Sequence, residues 1–516
     1  MEVWFVIVVA LCISALVSSF LNLFKKKLPP GPPSLPLLVY LIWLRRPISE
    51  SEFILRRLKA RYGPIMTLTI GHQKLVFVGS HSLAHRALIQ HGSVFSDRPT
   101  PRATSKILNR NQKLISDAGY GTTWRLLRRN ITHGILHPAR VKSYSSSRRW
   151  VLSIIINRLV DTSKFESSVR LIDHFQYAMF CLLALMCFGD KLQEKQIKEI
   201  ESVQRRLLKA SVGENLASVA FILNFWPRLG KILFHNCWKE LMRLRLEQEQ
   251  VLIPLIKSRI RAKQQSLSNH QEVEEAVLAY VDTLVDLQLP EENRKLDESE
   301  MVSLCSEFLS AGTETTSTAL QWIMANLVKY PHIQSKLFDE IIGVVGSRKC
   351  SQQQQIVEEA DAQKMPYLKA VVLEALRRHP PAHLVLPHRV TEDIELDGYV
   401  IPREATVNFM VADMGLDPKV WEDPMEFKPE RFLPTSSGEA FDITGSREIK
   451  MMPFGAGRRI CPGLTLALLH LEYFVANLIW NFEWIPVEGD EVDLTEKQEF
   501  TTVMKNPLRA RIIPRI

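Results

Sequence analysis

Apolar residues recur every three to four positions over most of this chain, the period of helices with one buried face. The pattern holds over 148–160, 170–188, 197–212, 239–262, 299–330, 333–345, 365–378 and 463–481. Alternation replaces it in a few places. Met66, Leu68 and Ile70, then Leu75 and Phe77, flank Gly71 and predict a hairpin over 62–79. Short strand-like pieces follow Pro387, cover Ile394 to Ile401 and return near the C-terminus. These elements predict a mainly α fold with small β-sheets at its edges, an α+β arrangement. The stretch from Lys263 to Glu300 is charged and Gln-rich, but runs such as Val273 to Leu287 predict surface helices with a loop.

The helical period of a half-buried surface is lost at the N-terminus. Val3 to Phe24 is uncharged and mainly apolar. As a helix rising about 1.5 Å per residue it would reach roughly 33 Å, against a bilayer core of about 30 Å. Lys25, Lys26 and Lys27 follow, while only Glu2 precedes, so the bulk of the chain should face the cytosol. A cleaved signal peptide would need a basic start and a small-residue cleavage site, and both are missing. The expected organisation is a transmembrane anchor over 1–24, a basic stop and proline-rich hinge over 25–36, and one catalytic domain over 37–516. The hinge carries Pro29-Pro30-Gly31-Pro32-Pro33, which favours polyproline II and predicts a stiff spacer.

Composition narrows the partners. The net charge of +9 is spread thinly over 516 residues, with no arginine-rich tail, which sets nucleic acid aside and suits a membrane surface or an acidic protein. Seven cysteines stand far apart with no CxxC pair, which excludes a disulfide scaffold or zinc finger and favours reduced thiols.

One cysteine has an unusual setting. In Phe454-Gly455-Ala456-Gly457-Arg458-Arg459-Ile460-Cys461-Pro462-Gly463, the glycines describe a tight loop and a helical pattern starts at Leu464. A lone cysteine is usually an inert buried hydrophobe. A thiol just before a helix N-terminus is expected to have its pKa lowered, which makes it a metal ligand. No GxGxxG follows a strand, so no dinucleotide site is expected.

The pattern formed by Phe454, Gly457, Arg459, Cys461 and Gly463 resembles the haem-binding loop of cytochromes P450, in which a proximal thiolate holds the iron. Other motifs follow in the family order. Glu374 and Arg377 share a helical face and Pro429-Glu430-Arg431-Phe432 lies downstream. The resemblance makes Glu374, Arg377 and Arg431 a buried structural triad. Ala311-Gly312-Thr313-Glu314-Thr315-Thr316 resembles the family's oxygen-binding helix, which implies proton delivery by Glu314 and Thr315 and suggests that Gly312 opens the helical ladder to water. Trp124, Arg128, Arg459 and His388 (or Arg389) become haem propionate contacts. The implied cofactor is haem b, iron protoporphyrin IX, with Cys461 as metal ligand.

The resemblance covers nearly the whole chain, and AGTETT, PERF and FGAGRRICPG look most like plant microsomal members. It implies a monooxygenase that inserts one atom of O2 into a lipophilic small molecule at the endoplasmic reticulum membrane. Electrons would come from NADPH through NADPH-cytochrome P450 reductase, with cytochrome b5 as a further donor. The alternatives are a reductase-independent haem-thiolate isomerase or dehydratase, whose members often lack the acid–Thr pair, and a non-catalytic haem-binding protein. Leu304, Phe308, Ala311, Leu384 and Val385 are the expected pocket lining, with the loop after Asp97, the 211–234 segment and Phe500 to Val503. Arg125, Arg128, Arg129 and Arg458 suggest a basic docking surface. His81 and His85 are spaced for a zinc site but lack its glutamate, and are expected to be surface residues.

Overall fold

The computed structural model describes residues 28–33, 48–70, 73–101, 106, 113–212, 230, 232–268, 278–346, 356–434 and 440–515. The expected anchor over 1–24 and most of the expected pocket segment 211–234 lie outside them. The frame is built from α1 Ile48–Tyr62, α2 His81–His85, α3 Thr122–Gly134, α4 Ser145–Phe165, α5 Leu171–Phe188, α6 Glu194–Val212, α7 His235–Ser268, α8 Glu298–Lys329, α9 Pro331–Val345, α10 Pro366–Arg378 and α11 Leu464–Asn481.

Helix α8 organises the rest. Asp297 accepts the Glu300 N–H at 2.7 Å, and the Glu300 carboxylate accepts the Asp297 N–H at 2.9 Å. This reciprocal cap satisfies two of the donors that a helix start leaves open. The helix then runs unbroken through Gly312, and Pro331 begins α9 two residues after its end. Helix α5 lies along it. A Cβ on Gly312 would stand 2.5 Å from the Leu183 side chain, so at this glycine the α5 side chain packs directly against the α8 backbone. That corrects the sequence expectation: Gly312 makes room for a neighbour and leaves the helix intact. Among the described residues α5 is the one helix long and apolar enough to cross a membrane, and it lies buried in this core. Its end is set by Gly189, at φ 83° in the left-handed region that favours glycine.

The expected hairpin forms as β1 Ile65–Ile70 and β2 Gln73–Val78, with Ile65 opposite Val78. With β3 His388–Arg389 and β4 Thr406–Phe409 they make a four-stranded sheet in the order β1-β2-β4-β3, and the β2–β4 pair is parallel. A second sheet joins Phe482–Pro486, Arg509–Pro514 and Val169–Arg170. The proline-rich stretch belongs to the folded body. Thr67 donates its N–H to the Pro30 carbonyl at 2.9 Å, and a Cβ on Gly31 would fall 1.8 Å from the Thr67 oxygen. Pro30 and Gly31 therefore seat on β1, so the stiff spacer expected from the sequence is held to the sheet at these residues. Of the stretch read as helical over 273–287, the described part from 278 carries a short helix, Tyr280–Leu284, followed by a small hairpin of Gln288–Leu289 with Arg294–Lys295. His81 and His85 spend their ring nitrogens on the carbonyls of Met414 and Ser446, at 3.0 and 3.3 Å.

Behind α11 sits an ion cluster in which Glu374 and Arg377 are fully buried and Arg431 partly so. Arg377 donates two hydrogen bonds to Glu374 at 2.7 and 2.8 Å, and Arg431 reaches the same carboxylate at 3.3 Å. Glu374 also accepts the Lys428 N–H at 2.8 Å. The rest of the Arg377 fork holds the carbonyls of Gly415, Pro424 and Glu426. A buried charge is tolerable only when its partners are complete, and here two cations and a peptide N–H share one carboxylate. The cluster ties α10 to the Gly415–Arg431 meander that precedes the cysteine loop. Glu374→Ala, which strands two guanidiniums, is expected to destabilise the fold by about 3–5 kcal/mol, read as a lowered urea midpoint. Gly312→Val should cost about 1–3 kcal/mol by overpacking, and Leu183→Ala in the same chain should recover part of that loss.

Candidate active site

The cysteine loop is closed by its own backbone. Cys461 donates its N–H to the Phe454 carbonyl at 2.9 Å, and Ile460 donates to Gly457 at 3.1 Å. Two glycines make the path possible, Gly455 at φ 69° and Gly457 at φ 70°. A Cβ on Gly457 would lie 2.1 Å from the Leu88 carbonyl oxygen, so the loop is pressed against the turn Arg86–Gln90 that continues α2. Cys461 is half-buried, and α11 starts three residues later with Gly463 as its cap. Burial pushes the thiol up, while the Gly463 N–H and the Arg128 guanidinium pull it down. The net direction is upward, which reverses the lowered pKa expected from the helix start alone: desolvation of an anion outweighs one N–H and one distant cation.

Beside the loop the structure gathers positive charge. Arg459 donates to the carbonyls of Ser96 at 2.7 Å, Ala118 at 2.7 Å and Ile115 at 3.3 Å. Its guanidinium lies over the Trp124 ring at 4.3 Å. Trp124 turns its own N–H to the Ile115 carbonyl at 3.2 Å, so it steers Arg459 and offers no free donor. Arg98, which the sequence reading passed over, donates to the carbonyls of Ser116, Leu386 and Pro387 at 2.7, 2.9 and 2.8 Å. Arg128 is half-buried and faces the cysteine. Burial, with Arg98 and Arg128 close by, pushes Arg459 down to about 9, and burial pushes Arg98 to about 10. His388 is buried on the Phe95 carbonyl and its pKa is pushed down to about 3 by burial and by Arg98, so it stays neutral. Arg389 instead pairs with Asp97 and Glu404. Arg125 and Arg458 stack on Tyr120 at the surface, at 4.9 and 5.6 Å.

Helix α8 supplies the opposite wall. Leu309, Ser310 and Thr313 are buried, yet Ala311 is exposed and Thr315 half-exposed in the middle of the molecule. Thr315 donates its hydroxyl to the Ala311 carbonyl at 2.6 Å. Glu314 accepts from Gln176 at 3.3 Å, and its other oxygen is buried without a partner. Burial pushes its carboxyl up, against the pull of Arg205 and Gln176. The expected pocket lining divides. Ala311 and Thr315 are open, whereas Leu304 is fully buried and Phe308 packs on the Tyr280 ring at 5.1 Å. Val385 and Leu384 are half-buried, Val385 within 4.0 Å of where a Gly455 Cβ would stand. Glu307 was also passed over. It lies four residues before Ala311 and seven from both Glu300 and Glu314, and an acid repeated on one helical face inside an apolar run was legible.

These residues fit an iron protoporphyrin. The loop presents one sulfur to a metal, and the crowded cations at its flank have a use if two propionates neutralise them. Comparison with known proteins agrees. The family model described as Cytochrome P450 matches residues 29–513. The chain is 48% identical to "Cytochrome P450 89A9" of Arabidopsis thaliana over 99% of this chain and 98% of that protein. It is 32% identical to "Costunolide synthase" of Cichorium intybus, covering 95% and 94% of the two chains. It is 31% identical to "Isoflavone 2'-hydroxylase" of Glycyrrhiza echinata, covering 94% and 91%. With that match spanning the cysteine loop, the cationic edge and the long helix together, the chain belongs to the cytochrome P450 family, whose monooxygenases carry haem iron.

Proposed function

We propose that this protein is a microsomal monooxygenase that places one oxygen atom of O2 on a lipophilic small molecule. It would draw electrons from NADPH through the cytochrome P450 reductase, and 1–24 would anchor it in the endoplasmic reticulum membrane. The observation that carries the reading is the acid–alcohol pair on an otherwise buried helix: Thr315 open to the interior, and Glu314 beside it with a carboxyl held above its usual range. Two relatives bear the names of enzymes that act on plant small molecules, which supports the lipophilic class.

The bound haem supplies oxygen activation, and each other task falls to side chains of the chain. Cys461 would hold the metal, its sulfur steadied by the Gly463 N–H. Arg98, Arg128 and Arg459 would bind and orient the propionates. Thr315 has its proton engaged on Ala311, which leaves its oxygen lone pairs to receive a hydrogen bond from water at the exposed patch. Glu314, next in the chain to Thr315, accepts from Gln176 and feels Arg205, and a carboxyl raised towards neutrality would take up a proton and release it towards the patch.

Cys461→Ala should lose the thiolate-type carbon monoxide spectrum and all turnover; a normal spectrum in that variant would remove the ligand assignment. Thr315→Ala should keep its haem and consume NADPH with little product. Glu314→Gln should slow product formation by roughly 10²-fold or more, with substrate affinity, read by spectral titration, unchanged. Fully coupled turnover in both variants would exclude them from proton delivery.

A further inference from the structure

Between the central helix and the cationic edge lies a loop without regular structure, and α8 grips it at two places two turns apart. Lys113 pairs with Glu300 at 2.8 Å. Glu307 accepts the Ile115 N–H on one carboxylate oxygen at 2.9 Å and the Ser116 N–H on the other at 2.7 Å. The carbonyls of that short stretch are the ones that hold the edge. Ile115 receives Trp124 and Arg459, Ser116 receives Arg98, and Ala118 receives the second Arg459 nitrogen. The peptide between Ile115 and Ser116 therefore joins Glu307 at its N–H to Trp124 and Arg459 at its carbonyl, while the preceding peptide, also held by Glu307, gives its Leu114 carbonyl to the Ala118 N–H.

We propose that Glu307 is a positioning residue, clamping Ile115 and Ser116 so that the carbonyl of the peptide between them, that of Ile115, sets Trp124 and Arg459 along the cofactor edge. A carboxylate accepting two peptide N–H groups makes charge-assisted bonds stronger than those between neutral groups. It also fixes the planes of the Leu114–Ile115 and Ile115–Ser116 peptides, and with the second the direction in which the Ile115 carbonyl points. Hydrogen bonds in series polarise one another, so the anion at one end strengthens the acceptance of the cations at the other. Without Glu307 two interior N–H groups would lack acceptors. A glutamine offers a single acceptor oxygen and turns its NH2 towards the second N–H, so it keeps half of the clamp. The inference rests on reading Arg98 and Arg459 as the cofactor edge, and Arg459→Gln tests that reading separately.

The experiment is amide hydrogen exchange over 113–120 on the full-length protein, together with the ferric–ferrous reduction potential. Glu307→Ala should raise exchange at Ile115 and Ser116 by about tenfold or more for each bond lost. It should also lower the potential, because propionates less well neutralised favour the ferric state. Glu307→Gln should fall between Ala and wild type in both readings, and it carries the test if the alanine variant does not fold. Ser310→Ala, one turn away with its hydroxyl on Gln204, should change neither. Unchanged exchange in both Glu307 variants overturns the clamp. If Arg459→Gln moves the potential and the Glu307 variants do not, the proposal falls while the edge reading stands. If Arg459→Gln moves nothing, the edge reading falls and the inference with it.

Discussion

Three guanidiniums, Arg98, Arg128 and Arg459, meet at one interior edge, and like charges drawn out of bulk water repel. The chain accepts this cost and arranges much of its centre around it. Asp117, Glu307 and Asp97 all act on Arg98, but Glu307 accepts the Ile115 and Ser116 N–H groups and Asp97 is shared with Arg389 and the Tyr120 N–H at 2.8 Å. The cations Arg98 and Arg459 are held chiefly by backbone carbonyls, which carry dipoles and no net charge. Such an edge is completed by a dianion, and the propionates of haem are of that kind. The same excess of positive charge acts on the cysteine, where Arg128 offsets part of the desolvation that keeps the thiol neutral.

Rigidity on both sides makes that arrangement usable. The cysteine loop is held by glycine-dependent turns against Leu88, and the ion cluster around Glu374 braces the chain that leads into it. Helix α8 is capped at its start and seated against Leu183 at Gly312, so its exposed patch at Ala311 and Thr315 is a fixed feature. A reactive centre needs this kind of support, because its groups must be held where they act before substrate arrives.

Much of this was legible in the sequence because it is local. The 3.6-residue period located the long helices, and the alternation around Gly71 located β1 and β2, since side-chain direction along a chain follows backbone geometry. Cys461, Glu314 and Thr315 stand in contiguous motifs. What failed was what depends on neighbours distant in sequence. Gly312 was expected to open the helical ladder to water, and Leu183, the neighbour it makes room for, lies well over a hundred residues away. The thiol was expected to be acidic because a helix start is visible in sequence and desolvation is not. The proline stretch looked like a spacer because nothing in it announces the Thr67 backbone. Arg98 was missed because its acceptors are carbonyls, and these carry no residue identity.

The central claim is transfer of one oxygen atom from O2 to a lipophilic substrate. The most direct measurement is turnover under isotopically heavy O2 with the reductase and NADPH, the product being read by mass spectrometry. The account predicts a product that gains one heavy oxygen atom, the second atom leaving as water. A product formed without label, or formed equally well in the absence of NADPH, would contradict it and point to rearrangement chemistry.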